Sequence, residues 1–127
     1  MQGITVLIVD DHEGFINAAL RHFRRHAWLQ VVGRASNGLE AIECAERLRP
    51  DAVLMDLAMP EMGGLQATRL IKAQDVPPFV VIASHFDDAE HREHAARAGA
   101  DEFVSKLSYV QDVIPILERL RDTRKPP

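Results

Sequence analysis

The chain is poor in several things, and each shortage excludes a class of protein. It has one cysteine, Cys44, so no disulfide can form within it. No apolar run approaches the roughly 18 residues that a membrane-spanning helix needs. Met1-Gln2-Gly3 carries no basic stretch, and the apolar segment Ile4–Val9 ends at two aspartates, so no secretory leader is expected and a reducing, cytoplasmic setting is. There is no internal repeat and no low-complexity tract. Basic excess is also missing: 15 Lys+Arg against 19 Asp+Glu give a net charge of -4, which argues against nucleic-acid binding by this chain itself. What remains is an ordinary globular composition, 46% hydrophobic and 27% charged over 127 residues, enough for one domain with its own core.

Apolar runs of strand length recur five times, at Ile4–Val9, Leu29–Val32, Ala52–Met55, Phe79–Ala83 and Glu102–Val104. The first, third and fourth are nearly continuous, as suits strands covered on both faces. Helical spacing fills the gaps: Ile16, Ala19, Leu20 and Phe23; Ala41, Ile42, Ala45 and Leu48; Ala67, Leu70 and Ile71; Val110, Val113, Ile114 and Leu117. The fourth helical segment, Asp87–Ala98, offers only alanines as its apolar side and should pack loosely. Asn37 with Glu40 reads as a helix start, Arg49-Pro50 as a stop, Gly63-Gly64 as the next opening and Gly99 as a C-terminal cap. Pro115 interrupts the last helical pattern, so a late or distorted start near Asp112 is expected there. Alternating strands and helices predict an α/β fold, a parallel sheet with helices on both faces.

In such a sheet the strand C-termini share one edge, where ligands bind. Asp10 and Asp11 follow the first strand, Asp56 the third, Ser84 the fourth and Lys106 the fifth. Two like charges about 4 Å apart repel by roughly 4 kcal/mol at an effective dielectric near 20. Three converging carboxylates therefore call for positive charge, supplied either by a hard divalent cation such as Mg²⁺ or by Lys106. Singly, each residue is better read as a helix cap, a turn residue or a surface lysine; the ordered set at one sheet edge is not.

Val6-Leu7-Ile8-Val9-Asp10-Asp11-His12, Asp51-Ala52-Val53-Leu54-Met55-Asp56-Leu57-Ala58-Met59-Pro60, Gly64, Ser84 and Lys106 together resemble the receiver domain of two-component response regulators. The resemblance runs from Ile4 to about Leu120. It implies a flavodoxin-like, doubly wound five-stranded parallel sheet of order 2-1-3-4-5 with five helices. The receiver domain would occupy 1–121, with 122–127 a tail or the start of a linker. It implies Asp56 as phosphoacceptor; Asp10, Asp11, Asp56 and the Ala58 backbone carbonyl as Mg²⁺ ligands; Ser84 and Lys106 as phosphoryl-binding residues; and Phe103 as the aromatic switch. The implied partners are a sensor histidine kinase or phosphotransfer protein and a second copy in a homodimer. No membrane is implied, and a DNA-binding module would lie only beyond Pro127.

Three positions depart from the family pattern. Leu107 replaces a frequent proline, Phe103 a frequent tyrosine, and Pro115 is unexpected in the last helix. The segments around Val31-Val32-Gly33, Met55-Asp56-Leu57 and Gly64-Leu65-Gln66-Ala67-Thr68 are similar to the subfamily with a C-terminal helix-turn-helix. A Mg²⁺-dependent aspartyl-phosphate phosphohydrolase is the rival reading, but Ala58 stands where its second acid belongs. A flavin-binding module is disfavoured by Asp10-Asp11-His12-Glu13, which would repel phosphate. The pairs His22/His26 and His91/His94 are expected on solvated helix faces, Cys44 in the core, and Trp28 at a helix-to-strand junction. His12 is expected at the pocket mouth, and His85 beside Ser84.

Overall fold

The computed structural model describes residues 3–59 and 62–123. Pro60 and Arg124–Pro127 lie outside the described residues. The elements alternate as β1 (Ile4–Val9), α1 (Glu13–Phe23), β2 (Leu29–Ala35), α2 (Gly38–Leu48), β3 (Ala52–Asp56), α3 (Gly64–Lys72), β4 (Phe79–Ser84), α4 (Ala89–Arg97), β5 (Glu102–Ser105) and α5 (Tyr109–Thr123). All strand pairings are parallel, in the order β2-β1-β3-β4-β5. The alternation and parallel pairing are those the sequence pattern predicts, and the strand order is the one the resemblance implies. The expected boundary after Arg121 falls inside α5, which runs to Thr123.

Side chains alternate across each strand, so the sheet divides the core in two. Val6, Ile8, Leu54 and Val81 face Ile16, Ala19 and Phe23 of α1 and Val113 and Leu117 of α5. Leu7, Val9, Val53, Met55, Val80 and Ile82 face Ala41 and Ala45 of α2, Ala67 and Ile71 of α3, and Ala95 of α4. Burial of each large aliphatic side chain stabilises by about 1.5–3 kcal/mol. The continuous runs in β1, β3 and β4 follow from this double cover. The hold on α4 is weak, because Ala95 is the one residue of that helix that is buried.

Several expectations change in detail. β2 continues past Val32 to Ala35, with a bulge that pairs Val6 with Val31 but Leu7 with Gly33. Arg34 is exposed on this edge strand, so no apolar run marks its end. Asn37 accepts from the Glu40 N–H as expected, but the Glu40 carboxylate turns to the Ser36 N–H and hydroxyl. Leu70 and Val110 fall outside their helices' buried stripes, at 45% exposure each.

The late start expected for α5 does not occur. The helix begins at Tyr109, whose ring is buried, and Val113 and Ile114 follow it into the core. The N–H groups of Gln111 and Asp112 donate to the Ser108 carbonyl, and the Ser108 hydroxyl donates to Asp112. Pro115 itself is exposed, as is Gln111 one turn earlier, so the carbonyl deprived of its partner can meet water.

Candidate phosphoryl and metal site

The C-terminal ends of β1, β3, β4 and β5 lie side by side, and the chemistry-bearing residues follow from that. Asp10 leaves β1 with its N–H donating to Ala35 and its side chain completely buried. Its Oδ1 accepts from the His12 N–H at 2.9 Å, and its Oδ2 accepts from Lys106 Nζ at 2.6 Å. Asp56, the last residue of β3, is 5% exposed, with Oδ1 3.2 Å from the same ammonium. Asp11 is exposed at the rim. Ligand atoms of Asp10, Asp11, His12 and Asp56 lie within 4.8 Å of one another.

Lys106 thus bridges two buried carboxylates, and its stronger partner is Asp10 rather than Asp56. Burial is the main force raising the Asp56 carboxyl above the usual carboxylate range, and repulsion from Asp10 adds to it. Lys106 and the Ala58 backbone oppose the rise without cancelling it. Three carboxylates against one ammonium leave a formal charge of -2. The donor set is carboxylate oxygen with one His12 nitrogen, so both charge and chemistry fit a hard divalent cation.

Ser84 ends β4, nearly buried, and its Oγ accepts from the Phe86 N–H at 3.0 Å. The hydroxyl still has its proton to donate. The Lys106 N–H donates to the Ser84 carbonyl at 2.9 Å, tying the β4 and β5 exits together. Phe103 is half-buried against the second core, with the Arg92 guanidinium 4.7 Å from its ring centroid. The same Arg92 donates through Nε to the Asp87 carbonyl. Leu107, 86% exposed, follows a trans peptide.

The remaining histidines and Cys44 differ in part from expectation. His12 lies at the mouth, with Nδ1 3.2 Å from Asp11 Oδ1, and His85 is exposed beside Ser84. His22 and His26 are half-buried rather than solvated, in a row with Trp28 that Arg121 covers. Burial holds His22 below its ordinary pKa. Cys44 is half-buried, packed on the edge of the second core, with Arg47 reaching its Sγ. His91 leans on Asp88 and stacks on Phe86. Two site neighbours escaped the sequence reading. Phe15 lies under Lys106, and Arg92 lies over Phe103. Phe15 sits beside the apolar stripe that starts at Ile16, so periodicity gave it no weight.

Comparison with known families matches residues 6–118 to the response regulator receiver domain. The chain belongs to that family. Transcriptional regulatory protein PdtaR of Mycobacterium tuberculosis is 36% identical over 113 residues, 89% of this chain and 54% of its own length. A protein-glutamate methylesterase/protein-glutamine glutaminase of Alkalilimnicola ehrlichii is 38% identical over 104 residues, 81% of this chain and 27% of its own. The chain therefore spans between about a quarter and half of these relatives. Among solved structures, a LuxR-family two-component response regulator from Aurantimonas superposes with a TM-score of 0.89 at 28% identity, covering 98% of this chain and 89% of the other. The receiver domain is a signalling unit, and no helix among its described residues is long and apolar enough to cross a membrane.

Proposed function

We propose that the domain takes a phosphoryl group onto Asp56 from the phosphohistidine of a sensor histidine kinase or phosphotransfer protein. The observation that carries this reading is the Asp56 carboxylate, recessed at a strand end between a buried ammonium and two further acids. An Asp56 oxygen attacks phosphorus in line. The P–N bond to the donor imidazole breaks with its electron pair staying on nitrogen, the new O–P bond forms, and the imidazole leaves as the neutral ring, keeping the proton already on its other nitrogen. Positioning and charge neutralisation do most of the work in such a transfer. Asp10, Asp11, Asp56 and the Ala58 carbonyl would hold Mg²⁺, which when bound offsets the charge on the phosphoryl oxygens.

The acyl phosphate adds about -1.5 to -2 charges and three acceptor oxygens. Lys106 turns from Asp10 toward those oxygens, and Ser84 donates its hydroxyl proton to one of them. The bond favours an inward β4–α4 loop, and the weakly anchored α4 and the ring of Phe103 follow. Arg92 has to leave that ring or move with it. The switch then controls a downstream output, through a homodimer, a partner protein or a DNA-binding module beyond Pro127 in a longer protein; this chain itself does not bind DNA. We further read the chemistry as self-phosphorylation and self-dephosphorylation of a signalling domain, not turnover of a small substrate. Ala58 supports this, because an aspartyl-phosphate phosphohydrolase would place an acid there. Incubation with Mg²⁺ and a small-molecule phosphoryl donor should add a single base-labile phosphate, which peptide mapping should find on Asp56. A phosphate on any other residue overturns the assignment.

The metal reading has its own test. Mg²⁺ at about ten times its dissociation constant should stabilise the fold by roughly 1.4 kcal/mol, a rise of a few degrees in Tm. Asp11→Ala should abolish that rise while leaving the Mg²⁺-free Tm nearly unchanged, because Asp11 is exposed. Retention of the full Mg²⁺-dependent shift in this variant would exclude Asp11 as a ligand.

A further inference from the structure

The coordination of Lys106 is incomplete without a group that the phosphorylation chemistry does not name. Its side chain is 4% exposed, so bulk water does not surround the ammonium. An ammonium has three N–H donors to place. Asp10 Oδ2 takes one at 2.6 Å, and Asp56 Oδ1 stands 3.2 Å away for another. The third near neighbour is the ring of Phe15, whose centroid lies 4.5 Å from Nζ. A cation over a ring face at this distance is attracted by the ring quadrupole, and more strongly when both are desolvated. Phe15 is backed in turn by Tyr109, with ring centroids 4.7 Å apart and planes at 49°. Tyr109 is buried as the first residue of α5, so the pair forms an aromatic wall between α1 and α5 behind the ammonium.

We propose that Phe15 is a positioning residue for phosphoryl transfer, its ring face holding the Lys106 ammonium aimed into the gap between Asp10 and Asp56. The inference rests on the reading of Asp56 as phosphoacceptor. A ring suits this place better than a polar side chain would. A third carboxylate would bind the ammonium too firmly for it to turn to the phosphoryl oxygens, and an amide would compete for the same donors. The ring orients the cation yet yields it to a stronger acceptor. An aliphatic residue fills the space but offers no negative face, so one donor is left buried without a partner.

The experiment compares initial rates of phosphate incorporation from a small-molecule donor in saturating Mg²⁺. The proteins are wild type, Phe15→Leu, Phe15→Tyr, Lys106→Met and the double variant Phe15→Leu/Lys106→Met, each shown to be folded by its thermal melt. Phe15→Leu should be slower by about fivefold, equivalent to about 1 kcal/mol at 1.36 kcal/mol per tenfold. Phe15→Tyr keeps the ring and should recover the wild-type rate to within about twofold. Mg²⁺ affinity should be the same in both. In the Lys106→Met background, with its slow residual rate, Phe15→Leu should have no further effect, because the ring acts through the ammonium. Should Phe15→Leu be unfolded at the assay temperature, Phe15→Met serves in its place with the same expectation. A Phe15→Leu rate equal to wild type, or an equal loss with Lys106 already removed, overturns the role of Phe15. Absence of phosphate from wild-type Asp56 would overturn the functional reading itself, so the two failures are distinguishable.

Discussion

Asp56→Asn should lower phosphate incorporation at least a hundredfold and, in the absence of divalent cations, raise the melting temperature. The first effect follows from losing the attacking oxygen anion: an amide oxygen is a poor nucleophile, and the other carboxylates are placed to hold charge, not to attack. The second follows from electrostatics. Burial and Asp10 raise the folded-state pKa of Asp56 above its unfolded value. For a carboxyl raised in this way the sign is the reverse of a salt-bridged one. The fold has no penalty below the unfolded pKa, loses stability as pH climbs through the folded pKa, and bears the full cost above it. Asparagine has nearly the same shape and no charge, so it removes that cost. A gain on the order of 1 kcal/mol raises Tm by about 3–5 °C for a domain of this size. The gain should shrink as pH falls through the raised folded-state pKa, where wild-type Asp56 takes up its proton. Melts at several pH values in a chelating buffer, alongside phosphate mass spectrometry, check both halves. Undiminished phosphorylation would remove Asp56 from the chemistry, and a lower Tm would mean that Lys106 outweighs burial and Asp10.

This site was legible in sequence to the extent that it is local. β1 is a largely aliphatic run followed directly by Asp10, β3 one that ends in Asp56, and a parallel sheet brings such ends to one edge whatever the details of packing. The position of Lys106 followed in the same way. Its partner did not, because the choice between Asp10 and Asp56 is made by side-chain geometry across 96 positions of the chain. Phe15 and Tyr109 were missed for a related reason. Phe15 lies off the apolar stripe of α1 and Tyr109 ahead of the expected start of α5, and only the meeting of α1 with the start of α5 sets Phe15 against both Tyr109 and the ammonium. Tyr109 also explains the wrong start expected for α5. Local propensity at Pro115 argued for delay, and burial of one ring a full turn and a half earlier prevailed. The end of β2 was hidden because an edge strand facing water needs no apolar run, and Gly33-Arg34-Ala35 has none.

Gly64→Ala should be the most damaging single-methyl change at the site, for a steric reason that glycine's usual role in turns does not supply. Gly64 starts α3 and does not adopt positive φ; among the described glycines Gly99 does. What it lacks is room. A Cβ there would lie 2.1 Å from the Asp56 carbonyl oxygen and 2.9 Å from the Leu57 Cα. Both are backbone atoms, and no side chain can swing aside to relieve the contact. Either α3 retreats from the end of β3, breaking the 2.9 Å bond from the Gly64 N–H to the Leu57 carbonyl, or Asp56 itself is displaced. The first route opens the second core around Ala67 and Ile71, and the second misaims the carboxylate proposed to attack phosphorus. We expect a loss of about 2–4 kcal/mol, a fall of roughly 8–15 °C in Tm, and phosphate incorporation reduced at least tenfold in the protein that remains folded. Gly14→Ala is the matched control. Gly14 lies in α1 with nothing within 4 Å of a Cβ, so the same methyl should stabilise by about 0.5–1 kcal/mol through helix propensity. Thermal melts of the two variants, with phosphorylation rates measured well below both transitions, separate the steric account from a general intolerance of alanine. A Gly64→Ala protein that melts within two degrees of wild type would show that the end of β3 is free to move, and the rigid placement of Asp56 assumed for in-line attack would be lost with it.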